Sequence, residues 1–257
     1  MKKAPIGILD GGFEGINIFE KLVKKYPYES FIYINDLQNY PYEGKEIEDI
    51  NNYVKRNVDY LLSKDVKAII CVNASIIEYC IEYLESVNNK DNTLIKLYLV
   101  DSIINYINLN FEQKNMLLLG KEYILKANLF QKNFKYNHLY NIASDELENI
   151  IFENKTKTSN SFKITREVLR PVISKPVDII IFIDSYLENL SIELKEYCNF
   201  NEIIDLAQII SSELMVKNIF TYTKEKGRNI IVSNIDKNDF YKKVYWIKKY
   251  SYEKLSN

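Results

Sequence analysis

The sequence predicts an α/β protein built of parallel sheets wrapped by helices. Two observations carry that expectation. Short apolar runs rich in Ile, Val and Leu alternate along the whole chain with amphipathic stretches of helical period. Most of those runs end on Asp, Asn or Gly, the residues that turn a strand into the next helix. A sandwich or a helical bundle does not produce this rhythm.

The strands and helices follow in order. "PIGILD" (5–10) precedes a helical stretch over 14–26, "ESFIYIND" (29–36) one over 46–63, and "KAIICV" (67–72) one over 75–86. "IKLYLV" (95–100) leads to a helix near 102–111, "NMLLLG" (115–120) to 121–134, and "HLYNIA" (138–143) to 144–153. "DIIIFID" (178–184) precedes a helix near 188–197, "EIID" (202–205) one near 206–223, and "RNIIVSN" (228–234) a terminal helix from 237. The polar stretch "ENKTKTSNSFK" (153–163) reads as a mobile loop. Sites in such folds lie beyond the carboxyl ends of the strands. The positions of interest are therefore Asp10-Gly11-Gly12, Asn35-Asp36, Asn73-Ala74-Ser75, Asp101, Gly120, Asp184-Ser185 and Asp205.

Composition narrows the function classes. The chain has 257 residues, 47% hydrophobic and 27% charged, enough for one large α/β domain or two small ones. Lys and Arg number 34 against 35 Asp and Glu, with no basic stripe, so no nucleic-acid partner is expected. No apolar run is long enough to span a bilayer, so no membrane association is expected. Three cysteines without framework spacing fit free thiols in a reducing cytoplasm. A single histidine, His138, leaves little room for histidine-based triad chemistry, and no metal site is expected.

Taken together, the strand ends resemble the glutamate racemase family, within the aspartate/glutamate racemase superfamily. "LDGGFEGI" is similar to that family's Asp-Ser-Gly-x-Gly-Gly-Leu opening and keeps Asp10, Gly12 and Gly15. "YINDLQNYPYEGK" resembles Tyr-Phe-Gly-Asp-x-x-x-x-Pro-Tyr-Gly-x-Lys, keeping Tyr33, Asp36, Pro41, Tyr42 and Lys45. "LLSKDVKAIICVNAS" resembles the stretch ending Ala-Cys-Asn-Thr, and "LLGKEYILKANLFQK" the stretch Ile-Gly-Thr-x-x-Thr-x-x-Ser-x-x-Tyr-Gln. "VDIIIFIDSYLENL" falls on the stretch ending Leu-Gly-Cys-Thr-His-Tyr-Pro-Leu-Leu, "IIDLAQ" on Ile-Asp-Ser-Gly-Glu, and "IIVSNIDKNDF" on the final strand and turn. These matches occur in order from residue 6 to residue 240.

The resemblance implies two similar lobes with an interlobe cleft, lobe one over 1–97 plus 207–257 and lobe two over 98–206. It also implies chemistry without a cofactor, in which one cysteine removes the α-proton and a second returns a proton on the opposite face. Inversion requires two such groups on opposite sides of a carbanion. Aligned without gaps, the first cysteine position holds Asn73, followed by Ala74 and Ser75; a gap that aligns the asparagines puts Val72 there instead. The second holds Asp184, followed by Ser185 and by Tyr186 in place of histidine. Cys71 lies inside its strand, Cys80 within the following helix, and Cys198 far past the second turn. An amide is no base at neutral pH, so two-base inversion has lost a partner.

Each implied site residue also has a plain structural role. Asp10 either assists chemistry or accepts N–H bonds from the Gly11-Gly12 turn. Tyr42, Ser75 and Ser185 either hold a ligand carboxylate or, for the serines, cap helices. Gly11, Glu43, Asn73, Ala74 and Tyr186 complete the expected binding surface; Tyr186 serves equally as a space-filling residue. Asp184 is either a helix cap or a lone acid/base. Its charge disfavours anionic amino acids, since like charges ~4 Å apart at an effective dielectric near ~20 repel by ~4 kcal/mol, about a thousandfold. The first reading is a racemase-like protein without amino-acid racemase activity that binds a small molecule, amino-acid-like in shape, or a protein partner, with a homodimer as a further expectation. The second is a repurposed isomerase, decarboxylase or lyase using Asp184 or Asp10. The third is a functioning glutamate racemase.

Overall fold

A computed structural model describes residues 4–221 and 225–255. They fall into two compact units, Met1–Ser102 with Ala207–Asn257, and Ile103–Leu206. In the first unit β1 (Ile6–Leu9), β2 (Phe31–Ile34) and β3 (Ala68–Cys71) are buried along their whole length. Continuous apolar runs of this kind suit strands covered on both faces by helices. Here α1 (Ile16–Lys25), α2 (Ile47–Ser63) and α3 (Ala74–Ser86) follow the three strands. β4 (Ile95–Tyr98), β9 (Asn229–Ser233) and β10 (Ser251–Lys254) complete a six-stranded sheet in the order β10-β9-β2-β1-β3-β4. Every pairing is parallel, with Ile8 opposite both Tyr33 and Ile70.

The chain passes to the second unit within α4 (Leu99–Asn110) and returns at the start of α9 (Leu206–Val216). The second unit has a four-stranded parallel sheet in the order β6-β5-β7-β8. Its strands are β5 (Lys114–Gly120), β6 (Tyr136–Ala143), β7 (Ile179–Phe182) and β8 (Glu202–Ile203). The helices between them are α5 (Glu122–Ala127), α6 (Asp145–Phe152), α7 (Ser159–Leu169) and α8 (Ser191–Tyr197), with a 3-10 turn over Ser185–Leu190.

Strand order locates the sites. From β1 the chain moves to β2 on one side and later to β3 on the other, so connections diverge between the ends of β1 and β3. In the second sheet they diverge between β5 and β7. Ligand crevices of open parallel sheets form outside such points. That singles out Asp10 and Asn73 in one unit, and Lys121 and Asp184 in the other.

The structure corrects several element boundaries. The polar stretch 153–163 is not one loop, because α7 begins at Ser159. Thr158 caps it: its hydroxyl accepts the Ser161 N–H (3.1 Å) while Ser161 Oγ accepts the Thr158 N–H (3.0 Å). A serine fills the place of the usual Glu or Gln of such a box. The terminal helix α10 stops at Lys243, and the polar segment "SYEK" forms the edge strand β10. α5 ends at Ala127 with Asn128 in the left-handed region (φ 65°), well short of residue 134. α9 ends at Val216; residues 222–223 of the expected helix lie outside the described residues. Among the described residues no helix is long and apolar enough to cross a membrane.

Candidate functional site

β1 and β3 are neighbours in register, with Leu9 opposite Cys71, so their ends deliver Asp10 and Asn73 to the same place. Asp10 is fully buried. Its Oδ2 accepts the Tyr33 hydroxyl (2.6 Å) and the Gly15 N–H (2.8 Å). Its Oδ1 accepts the Gly12 N–H (3.3 Å) and makes a long contact with Asn73 Nδ2 (3.5 Å). The Gly12 N–H is shared with Glu14 Oε2 at 3.0 Å, which brings a second buried carboxyl beside the first. The Gly12 carbonyl is held in turn by the Tyr33 hydroxyl (3.1 Å) and Asn35 Nδ2 (2.8 Å).

Burial, and then the neighbouring Glu14, hold the Asp10 carboxyl well above the usual carboxylate range. Oδ2 has two strong donors and Oδ1 only the longer contacts, so Oδ1 is the better place for a proton that Asp10 takes up. The folded protein thus binds a proton that the unfolded chain releases above about pH 3.9. Stability therefore falls as pH rises from that value toward the raised folded one. Glu14→Gln removes the neighbouring charge and gives Asp10 an amide donor. Its stability is expected to decline less steeply with pH than that of the wild type, as urea midpoints between about pH 5 and 8 would show.

Asn73 sits in extended backbone (φ −100°, ψ 120°) as the N-cap of α3, and its Oδ1 accepts the Ile76 N–H at 3.0 Å. Both ends of the amide thus have protein partners. The cap is Asn73 rather than Ser75, which lies buried in the first turn of the helix beside Ala74. Cys71 and Cys80 are buried free thiols. Burial pushes the Cys71 thiol far up and the Cys80 thiol to about 11, so neither supplies a thiolate at neutral pH.

Tyr42 is fully buried, and its hydroxyl points to Asp36 Oδ2 at 3.5 Å. Asp36 is more than a turn residue. It pairs with Arg56 Nη2 (2.9 Å) and accepts Asn39 Nδ2 (2.8 Å) and Asn234 Nδ2. Glu43 is exposed. The structure thus gathers Asp10, Gly11, Tyr42 and Asn73, with Ala74 and Ser75 following along the helix, and leaves Glu43 in solvent.

In the second unit Asp184 follows β7 in nearly the same backbone conformation as Asn73 (φ −106°, ψ 120°), at the head of the 3-10 turn. Its side chain makes no cap bond, and Ser185 is the first residue of the turn rather than its cap. Tyr186 is buried against Phe152, ring centroids 5.0 Å apart. Lys121, at the end of β5, is buried with its Nζ 3.4 Å from Glu148. Sequence reasoning missed Glu14, Tyr40 and Lys121. Glu14 falls on a glycine of the family opening and Lys121 on a threonine, so both departures were available as signals. No group of three or more metal-ligating side chains occurs among the described residues.

Two parallel sheets wrapped by helices, with polar turns at the strand ends, define an α/β protein of two units. No family model matches the chain. The glutamate racemase of Lactobacillus acidophilus is 26% identical over 209 residues, 79% of this chain and 76% of the relative. That of Lactobacillus johnsonii is 44% identical over 70 residues, 27% of this chain and 26% of the relative. Among solved structures, a glutamate racemase of Bacillus anthracis has a TM-score of 0.83 at 17% identity, covering 100% of this chain and 98% of its own. That of Thermus thermophilus, in complex with beta-chloro-D-alanine, has a TM-score of 0.83 at 16% identity, covering 99% and 97%. At these identities the structures show a shared fold. The sequence relatives and the solved structures alike are glutamate racemases, and it is that family the chain is similar to.

Proposed function

We propose that this protein is a glutamate racemase relative that does not racemise amino acids, and that it binds a small molecule of low negative charge at the carboxyl ends of its strands. The observation that supports this most is the state of Asn73. In the ungapped alignment it takes the place of the family's first cysteine. Its amide is engaged by the Ile76 N–H and by Asp10, and an amide cannot accept an α-proton at neutral pH. Asp10, the nearest carboxyl, is raised above the usual carboxylate range by burial, and its Oδ2 is committed to the Gly15 N–H and the Tyr33 hydroxyl, which supports a role in holding the turn rather than as a base. On the same alignment Asp184 takes the place of the second cysteine. It brings a carboxyl where the relatives' chemistry calls for a thiol.

Polarimetric assay of L- and D-glutamate and of L- and D-aspartate tests the reading. No change of optical rotation above the buffer rate is expected. Sustained loss of rotation with either enantiomer of either acid would overturn it.

A further inference from the structure

We propose that Tyr40 determines what the first unit's strand-end site admits, its ring closing the Gly11-Gly12 turn against the carboxylate of an amino acid. The proposal rests on the reading above, that the site is not an amino-acid racemase site, and names the side chain responsible for its selectivity.

The ring lies against both glycines. A Cβ on residue 11 would stand 2.8 Å from Tyr40 Cδ2, 3.0 Å from Tyr42 Cε2 and 3.1 Å from Asn73 Nδ2. A Cβ on residue 12 would stand 2.8 Å from Tyr40 Cε1 and 2.9 Å from Cδ1, with Glu14 Oε2 at 2.7 Å. Two successive residues thus lack a side chain where one aromatic ring lies across their backbone. The family opening that Asp10-Gly11-Gly12 resembles has serine at the position of Gly11, and the ring leaves no space for that side chain.

Tyr40 is also fixed in place from both flanks. Its N–H donates to the Asp36 carbonyl (2.9 Å), and the Asp36 side chain is anchored by Arg56 and Asn39. On the other flank the buried Tyr42 ring meets it edge-on, centroids 5.4 Å apart. Tyr40 itself is half-buried, so one side of it borders solvent while the other covers the turn. Under the ring, the Gly12 N–H already serves Asp10 and Glu14 and is not open to a further acceptor. An incoming carboxylate therefore meets an aromatic ring, an occupied donor and two carboxyls. Space and charge act in the same direction.

Calorimetric titration with D-glutamate, on the full chain, tests this. Wild type and Tyr40→Phe, which keeps the ring, should show no saturable binding at millimolar ligand. Tyr40→Ala should bind at least about tenfold more tightly than wild type. Tyr40→Val, which leaves a smaller gap, repeats the titration where the alanine variant does not fold. Equal binding by wild type and the opened variants, or binding by none of them, would overturn the proposal.

A melting-temperature cycle reads the geometry without any ligand. Gly11→Ser should lower the midpoint clearly in the wild-type background and much less when combined with Tyr40→Ala or Tyr40→Val. Equal losses in both backgrounds would also overturn it. Racemisation by the wild type would instead sink the functional reading of the preceding section, so the two failures are told apart.

Discussion

Asp10→Ala is expected to destabilise the protein by about 2–4 kcal/mol in chemical denaturation, whereas Asp10→Asn should cost less than about 1 kcal/mol. Alanine removes the acceptor of the Gly15 N–H, which opens α1, and of the Tyr33 hydroxyl, both in a site closed to water. A buried donor without an acceptor costs about 1–3 kcal/mol, and the lost tyrosine bond adds about 1 kcal/mol. Asparagine keeps an oxygen for those two donors. Its amide stands on the Oδ1 side, where it gives up only the long Gly12 N–H (3.3 Å) and Asn73 Nδ2 (3.5 Å) contacts. The near-neutrality of Asn is the sharper half of the prediction, because it follows only if Asp10 is a neutral acid in the folded state. A loss of several kcal/mol in Asp10→Asn would show that both oxygens must accept, and that Asp10 is ionised.

Gly15→Ala is expected to cost about 3 kcal/mol, at the upper end of overpacking substitutions. Gly15 stands at the head of α1, where the helix start closes on the end of β3. A Cβ there would lie 2.2 Å from Val72 Cγ2 and 2.8 Å from Val72 Cβ. Val72 is buried and immediately precedes Asn73, so its displacement would move the cap of α3 as well. Val72→Ala in the same chain should recover part of the loss, since it removes the atoms that clash. A double variant no more stable than Gly15→Ala alone would show that the strain lies elsewhere.

The fold was legible because its central strands need no context. "FIYI", "AIIC" and "IIIF" are apolar throughout, as strands buried on both faces must be, and Asn35, Asn73 and Asp184 follow within two residues of their ends. The edge strand β10 was not legible, since "SYEK" carries no apolar run and pairs along one side only. The start of α7 was hidden for another reason: its cap pairs Thr158 with a serine, and the polar sequence around it reads as loop.

At the site, Asp10 and Asn73 could be named from strand ends alone. What each side chain does there could not. Glu14 reaches Asp10 only because the 10–15 turn folds back on itself. The Tyr40 ring reaches Gly11 and Gly12 from the 36–42 segment, which the Asp36–Arg56 pair ties to α2. Such contacts depend on tertiary geometry and leave no periodicity in the sequence.

Under the proposed function, no side chain of this protein removes the α-proton of an amino acid. Proton NMR of L- and D-glutamate and of L- and D-aspartate in deuterated water tests it most directly, because one-sided abstraction already exchanges the α-proton even where inversion does not follow. The α-proton signals are expected to persist at the rate of the protein-free control over days at neutral pD. Wash-out from any of the four amino acids above that control, lost on denaturing the protein, would contradict the account.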